Sequence, residues 1–118
     1  MFAYALDNGT YGVYYSRKRL WKQTQSATVT ALAGMDFAID GQMCLAVGFD
    51  NGTIEVRKHR TGDLVCSVKI ANQDNGKDNP VVKLFYYDYR LQGNKMVIAV
   101  GRNGLIQGYT VSVSNAQI

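Results

Sequence analysis

Residues 45–57, LAVGFDNGTIEVR, carry the pattern that decides the fold: an apolar run, an Asn-Gly turn at Asn51-Gly52, and a second run rich in β-favouring residues. Asn-Gly between two such runs is a strong hairpin signal, and a two-residue type I′ turn needs positive φ at both central residues. The same design recurs in AYALDNGTYGVY from Ala3 and in VIAVGRNGLIQGY from Val97. Asn8 and Asn51 are 43 positions apart, and Asn51 and Asn103 are 52 apart. The polar stretch NQDNGKDN, Asn72 to Asn79, accounts for the longer interval and reads as a local insertion.

A second set of landmarks keeps phase with these turns. Asp36 and Asp88 each lie 15 positions before an Asn-Gly turn, and Gly41 and Gly93 lie 11 positions before its glycine. An upstream strand therefore precedes each hairpin. After the middle hairpin, the turn at His59-Arg60-Thr61-Gly62-Asp63 leads to a run from Leu64 to Ile70. There Leu64, Cys66, Val68 and Ile70 alternate with Ser67 and Lys69, which predicts an outer strand buried on one side. LAVG and VIAVG are apolar on both faces, as in strands sandwiched between sheets.

Four antiparallel strands repeating every 40–50 residues describe a β-propeller blade. The expected fold class is all-β: a partial β-propeller of antiparallel four-stranded blades, one complete blade flanked by two incomplete ones. The complete blade is about 28–71, and the incomplete ones are about 2–24 and 81–111. A β-sandwich is the competing architecture, and the in-phase landmarks favour blades. Closed propellers need about four to eight blades. A chain of 118 residues is therefore expected to be a fragment of a propeller domain, prone to self-association through exposed blade edges.

Composition agrees and excludes other classes. Apolar residues make up 47% and charged residues 19%, which rules out a charged disordered tail. Apolar runs are too short for a membrane-spanning helix. MFAYALDNGT lacks the basic start and long apolar core of a secretory signal. Cys44 and Cys66 are too few for a disulfide framework, which suits a reducing, cytoplasmic setting. The net charge of +4 gathers at Arg17, Lys18, Arg19 and Lys22 and at Arg57, Lys58 and Arg60. Both groups are expected in solvated turns or outer strands, and nucleic acid is not an expected partner.

Chemistry is sparse. The single histidine, His59, sits in a basic turn and is expected to be exposed; no nucleophile elbow or phosphate loop occurs. Asp36-Phe37-Ala38-Ile39-Asp40-Gly41 outlines a calcium loop, but Ala38 and Cys44 fall at ligand positions. The equivalent loop has Asp88, Arg90 and Gln92 before Gly93, and Arg90 would repel a cation. Self-capped turns are the expected reading. Asn8-Gly9-Thr10 and Asn51-Gly52-Thr53 match glycosylation sequons but read as hairpin turns. Tyr4, Tyr11, Tyr14, Tyr15, Tyr86, Tyr87 and Tyr89 are expected mainly in packing between blades, with a recognition surface as the alternative; Trp21 is open between packing and an exposed anchor. No catalytic, cofactor-binding or metal-binding residue, and no cofactor, is expected.

FAYALDNGTYGVY from Phe2, RLW from Arg19, VGFDNGTIEVRKHRTGDLV from Val47 and DYRLQGNKMVIAVGRNGLIQGY from Asp88 occur in that order. The series resembles the β-propeller of the Bardet–Biedl syndrome 2 family, from about Phe2 to Tyr109. The resemblance implies part of that family's N-terminal propeller, in a non-enzymatic scaffold subunit of the BBSome. That is a coat-like complex for ciliary membrane-protein trafficking. It also implies other BBSome subunits as partners, especially the Bardet–Biedl syndrome 7 protein, together with ciliary membrane cargo. Peripheral membrane association would come only through the complex, at the cilium and basal body. A ligand-binding, lectin-like propeller or another generic propeller interaction module is the alternative.

Overall fold

A computed structural model describes residues 2–39, 42–89 and 94–111, with backbone only at 36–39, 88–89, 94–95 and 111. Ten strands form three antiparallel sheets, each a meander of sequence neighbours. Blade 1 contains β1 (Phe2–Ala5), β2 (Thr10–Tyr15) and β3 (Lys18–Thr24). Blade 2 contains β4 (Val29–Ile39), β5 (Gln42–Phe49), β6 (Thr53–Lys58) and β7 (Leu64–Lys69). Blade 3 contains β8 (Val81–Tyr89), β9 (Asn94–Gly101) and β10 (Ile106–Val111). The expected all-β class with one four-stranded blade between two three-stranded ones is what the chain adopts, and no helix occurs among the described residues.

The repeat reaches into the irregularities of the sheets. A register shift at Val13/Tyr14 in blade 1 recurs at Val56/Arg57 in blade 2. Another at Val29/Ala31 in blade 2 recurs at Val81/Lys83 in blade 3. The Asn-Gly turns join β1 to β2, β5 to β6 and β9 to β10. Strand β1 is therefore equivalent to β5 and β9, so blade 1 holds the second to fourth blade positions and blade 3 the first to third.

The turns correct one expectation. Glycine φ is positive at Gly9 (88°), Gly52 (87°) and Gly104 (90°), but among described non-glycine residues only Ser16 has positive φ. The asparagines therefore do not sit in a type I′ turn. Gly9, Gly52 and Gly104 donate their N–H back three residues to Leu6, Phe49 and Gly101. Each loop is a three-residue connection closed by a left-handed glycine, the other common hairpin solution. The asparagine side chain caps the turn: Oδ1 of Asn8, Asn51 and Asn103 accepts the N–H of Thr10, Thr53 and Leu105 respectively, two residues on, at 3.0–3.1 Å.

Alternation in β5 builds both cores. Leu45, Val47 and Phe49 face blade 1 and join Tyr11, Val13 and Trp21. Cys44 and Ala46 face blade 3 and join Ile54, Val56, Val81, Leu84, Val97 and Ala99. The smaller side chains on that second face let blade 3 approach: a Cβ on Gly48 would lie 2.7 Å from Val81. The middle strand is thus buried on both sides, as its unbroken apolar run predicts. The outer strand β7 departs from expectation, because Leu64, Cys66 and Val68 are exposed and only Ile70, just past its end, is buried. Cys66 and Val68 look toward blade 3, whose described sheet stops at its third strand.

Candidate interaction surfaces and a buried polar clamp

The most concentrated polar chemistry lies at the seam between blades 1 and 2. Glu55 and Arg57, two apart on β6, point together into that seam and are both buried. The Tyr11 hydroxyl donates to Glu55 Oε1 at 2.5 Å, and Arg57 Nε donates to the same oxygen at 3.0 Å. Arg57 Nε also reaches the Tyr11 oxygen at 3.1 Å, and Gln25 Nε2 donates to Glu55 Oε2 at 3.0 Å. Arg57 Nη1 ends on the Gly62 carbonyl at 2.7 Å. Both carboxylate oxygens are engaged; Arg57 matches the charge within β6, and Tyr11 and Gln25 supply the bonds that cross the seam.

Aromatic rings enclose this clamp. Tyr11 packs edge-on against Trp21 and Phe49, with centroids 6.0 and 5.6 Å apart. Trp21 Nε1 donates to the His59 carbonyl at 2.7 Å. Gly62, at φ 81°, lies over the indole so closely that a Cβ would come within 2.6 Å of it. The His59–Asp63 turn is therefore seated on Trp21. Burial, and then the bond to Glu55, push the Tyr11 hydroxyl above its ordinary range. Burial works against the Arg57 charge, but Glu55 and Tyr11 outweigh it and hold the guanidinium above its usual range. No buried side-chain polar atom among the described residues lacks a hydrogen-bond partner, and the network ties one blade to the next.

These positions correct two sequence expectations. Arg57 is not a solvated turn cation but a buried strand residue, whereas Arg17, Lys18, Arg19, Lys22 and Arg60 are exposed as expected. His59 is half-buried rather than exposed, its Nδ1 lying 2.7 Å from the Met43 carbonyl oxygen. The tyrosines divide. Tyr11 is core, Tyr4, Tyr14 and Tyr86 are half-buried, and Tyr15 and Tyr87 are exposed. Trp21 is core, and the side chain of Tyr89 lies outside the described residues. Both thiols are free: Cys44 is buried, which raises its pKa, and Cys66 is exposed. The side chains of Asp36, Ala38 and Asp88 lie outside the described residues, as do residues 40, 41, 90, 92 and 93.

The polar stretch 72–79 ends in a wedge. Asn79 is fully buried and donates to Asn103 Oδ1 at 2.8 Å and to the Ala71 carbonyl at 3.3 Å. It ties the second Asn-Gly region to the third, and a Cβ on Gly101 would meet its amide at 2.4 Å. Sequence reasoning missed Gln25, Glu55, Arg57 and Asn79 as seam residues. The available signal was an acid and a base at strand spacing, flanking a buried valine.

Among the described residues, large apolar side chains are exposed on blades 1 and 3, and a groove opens beside β1. Phe2 stacks on Tyr14 at 5.4 Å, and Tyr4 lies 5.4 Å from the same ring. Ile106 is 68% exposed on blade 3, at the position that Ile54 fills in blade 2. Between β1 and β4 runs an apolar groove of about 600 Å³, lined by Phe2, Ala3, Leu32, Gly34, Met43 and their neighbours.

Comparison with known proteins places this geometry. Residues 1–57 match the family model for the ciliary BBSome complex subunit 2, middle region. The chain is 32% identical over 111 residues to BBSome complex member BBS2 of both Rattus norvegicus and Homo sapiens. The chain is a relative of BBS2. The matches cover 92% of this chain and 14% of those BBS2 proteins, so the chain spans about a seventh of their length. In fold it resembles BBS1N, solved in complex with ARL6DN, with a TM-score of 0.74 at 18% identity over 95% of this chain and 34% of that one. BamB from Moraxella catarrhalis gives a TM-score of 0.61 at 16% identity, covering 93% of this chain and 34% of BamB. The likeness to both is one of propeller architecture.

Proposed function

We propose that this chain is a propeller segment of a non-enzymatic scaffold subunit of the BBSome, acting through surface complementarity in the trafficking of ciliary membrane proteins. The likeness to BBS2 along 92% of the chain carries this reading. The most concentrated buried polar chemistry supports it, because the Tyr11–Glu55–Arg57 clamp is spent on holding blades together. The partners proposed are other BBSome subunits, the Bardet–Biedl syndrome 7 protein first among them, and the tails of ciliary membrane cargo. Membrane contact would come through the complex, at the cilium and basal body and in the surrounding cytoplasm. The test is a tagged pull-down of the full-length protein from its own ciliated or flagellated cells, read by quantitative mass spectrometry. Near-stoichiometric recovery of other BBSome subunits is expected. Intact, soluble protein that brings none of them down would overturn the reading.

A further inference from the structure

We propose that the outer edge of β3 is a docking strand for an acidic partner: an extended segment of another protein, rich in aspartate and glutamate, pairs with it as an added strand. Position is the first ground. β3 is the equivalent of β7, the fourth and outermost strand of the complete blade, so its far edge points away from the other strands of its sheet. Among the described strands it pairs with β2 alone. The N–H and C=O groups along its other edge are open to a strand that satisfies them.

Charge is the second ground, and it selects the occupant. Arg17, Lys18, Arg19 and Lys22 are all exposed along β3 and the turn that leads into it. Blade 1 sets against them a single carboxylate, Asp7, in the Asn-Gly turn at the other end of the sheet. None of the four cations enters an ion pair among the described residues. The next blade extends the patch. Trp21 of β3 donates to the His59 carbonyl at 2.7 Å and lies under Gly62, which brings exposed Arg60 alongside, with Asp63 as the one acid of that turn. Two basic runs far apart in sequence thus become one surface. The blade position does not demand this: in β7, LVCSVK, the one cation is Lys69, and Asp78 holds it at 2.8 Å. Like charges along β3 repel a second copy of the chain, whereas a strand bearing carboxylates gains from the same pairing.

The probe is a fluorescein-labelled peptide of alternating glutamate and valine, about seven residues long to match one strand. It is titrated into the full-length protein and read by fluorescence anisotropy. Binding is expected, with slowed amide exchange in β3, and it should weaken as salt screens the exposed charges. Lys18→Glu combined with Lys22→Glu should weaken it at least about tenfold, with an unchanged circular dichroism spectrum. Lys77→Glu combined with Arg102→Glu makes the same change in net charge at the other end of the blades and should leave affinity within about twofold. No binding at millimolar peptide, or an equal loss in the two double variants, would overturn the site. Undiminished binding of the same peptide with N-methylated backbone amides would overturn the strand pairing. Vesicles containing phosphatidylserine that bind through Lys18 and Lys22, and that the peptide fails to displace, would overturn the occupant in favour of a membrane surface.

Discussion

The two seams of this molecule solve one problem with different chemistry. Between blades 1 and 2, a charged and aromatic network sits inside an apolar frame. Between blades 2 and 3, the buried contact is mainly aliphatic, from Cys44 and Ala46 to Leu84, Val97 and Ala99, with Tyr86 and Tyr109 at its margin and with Asn79 and the Thr30 hydroxyl, which donates to the Val81 carbonyl, as its polar elements. Aliphatic packing is tolerant of small slips, because volume and polarity are nearly the same one residue along. A carboxylate that must meet Tyr11, Gln25 and Arg57 together accepts a single register. The first seam therefore fixes how blades align, and the second supplies burial.

The largest expected loss comes from Gly9→Val, at the edge of the first seam. Its Cβ would stand 2.1 Å from the Gln25 carbonyl, at a φ of 88° that valine resists. A cost of at least about 4 kcal/mol in urea denaturation is expected. Gly104→Val has the same φ problem, but its Cβ meets nothing within 4 Å. Its cost should stay near the strain alone, about 1–2 kcal/mol. Equal losses would show that turn conformation, rather than the clamp beside it, governs the first seam.

Next comes Glu55→Ala, which strands Arg57 in a buried site and should cost about 3–5 kcal/mol. Leu84→Ala, a cavity in the aliphatic seam, should cost about 2–4 kcal/mol. The contrast sharpens on restoring polarity: adding Arg57→Met to Glu55→Ala should recover much of the first loss, since the uncompensated charge disappears. Full additivity of the two changes would mean that the clamp contributes packing only.

The smallest expected effect is alkaline. The Tyr11 hydroxyl is raised above 10.0 by burial and by Glu55, so the folded chain holds that proton longer than the unfolded one. The stabilisation is complete below about pH 10 and is lost as pH rises through the folded value. Thermal melts from pH 8 to 11 should show this decline, and Tyr11→Phe should flatten part of it. An unchanged slope would place the alkaline sensitivity elsewhere, for example at Tyr109, whose hydroxyl burial also raises.

Most strands were legible because apolar runs and Asn-Gly turns are local signals. β2, β8 and β10 begin or end where the runs do, within a residue or two. The turn type was not legible, because Asn-Gly serves both two- and three-residue loops. Arg57 was misread because RKHR looks like one solvated run. Strand alternation instead sends Arg57 inward beside Glu55 and leaves Lys58 on the opposite face. β7 was misread for a different reason. Exposure of Leu64, Cys66 and Val68 depends on what covers the outer strand, and nothing in their own alternation encodes that.

The meander topology also sets an order of events during folding. Every strand pairs only with its neighbours in sequence, so each sheet closes through short loops at small entropic cost. The Tyr11–Glu55 and Tyr11–Arg57 contacts close spans of 44 and 46 residues and must await two finished sheets. Hairpins should therefore be structured in the rate-limiting ensemble, with φ-values well above those of the clamp. A bond set that forms last and breaks first acts on the unfolding rate, so the polar seam would serve as the latch on the lifetime of the folded state.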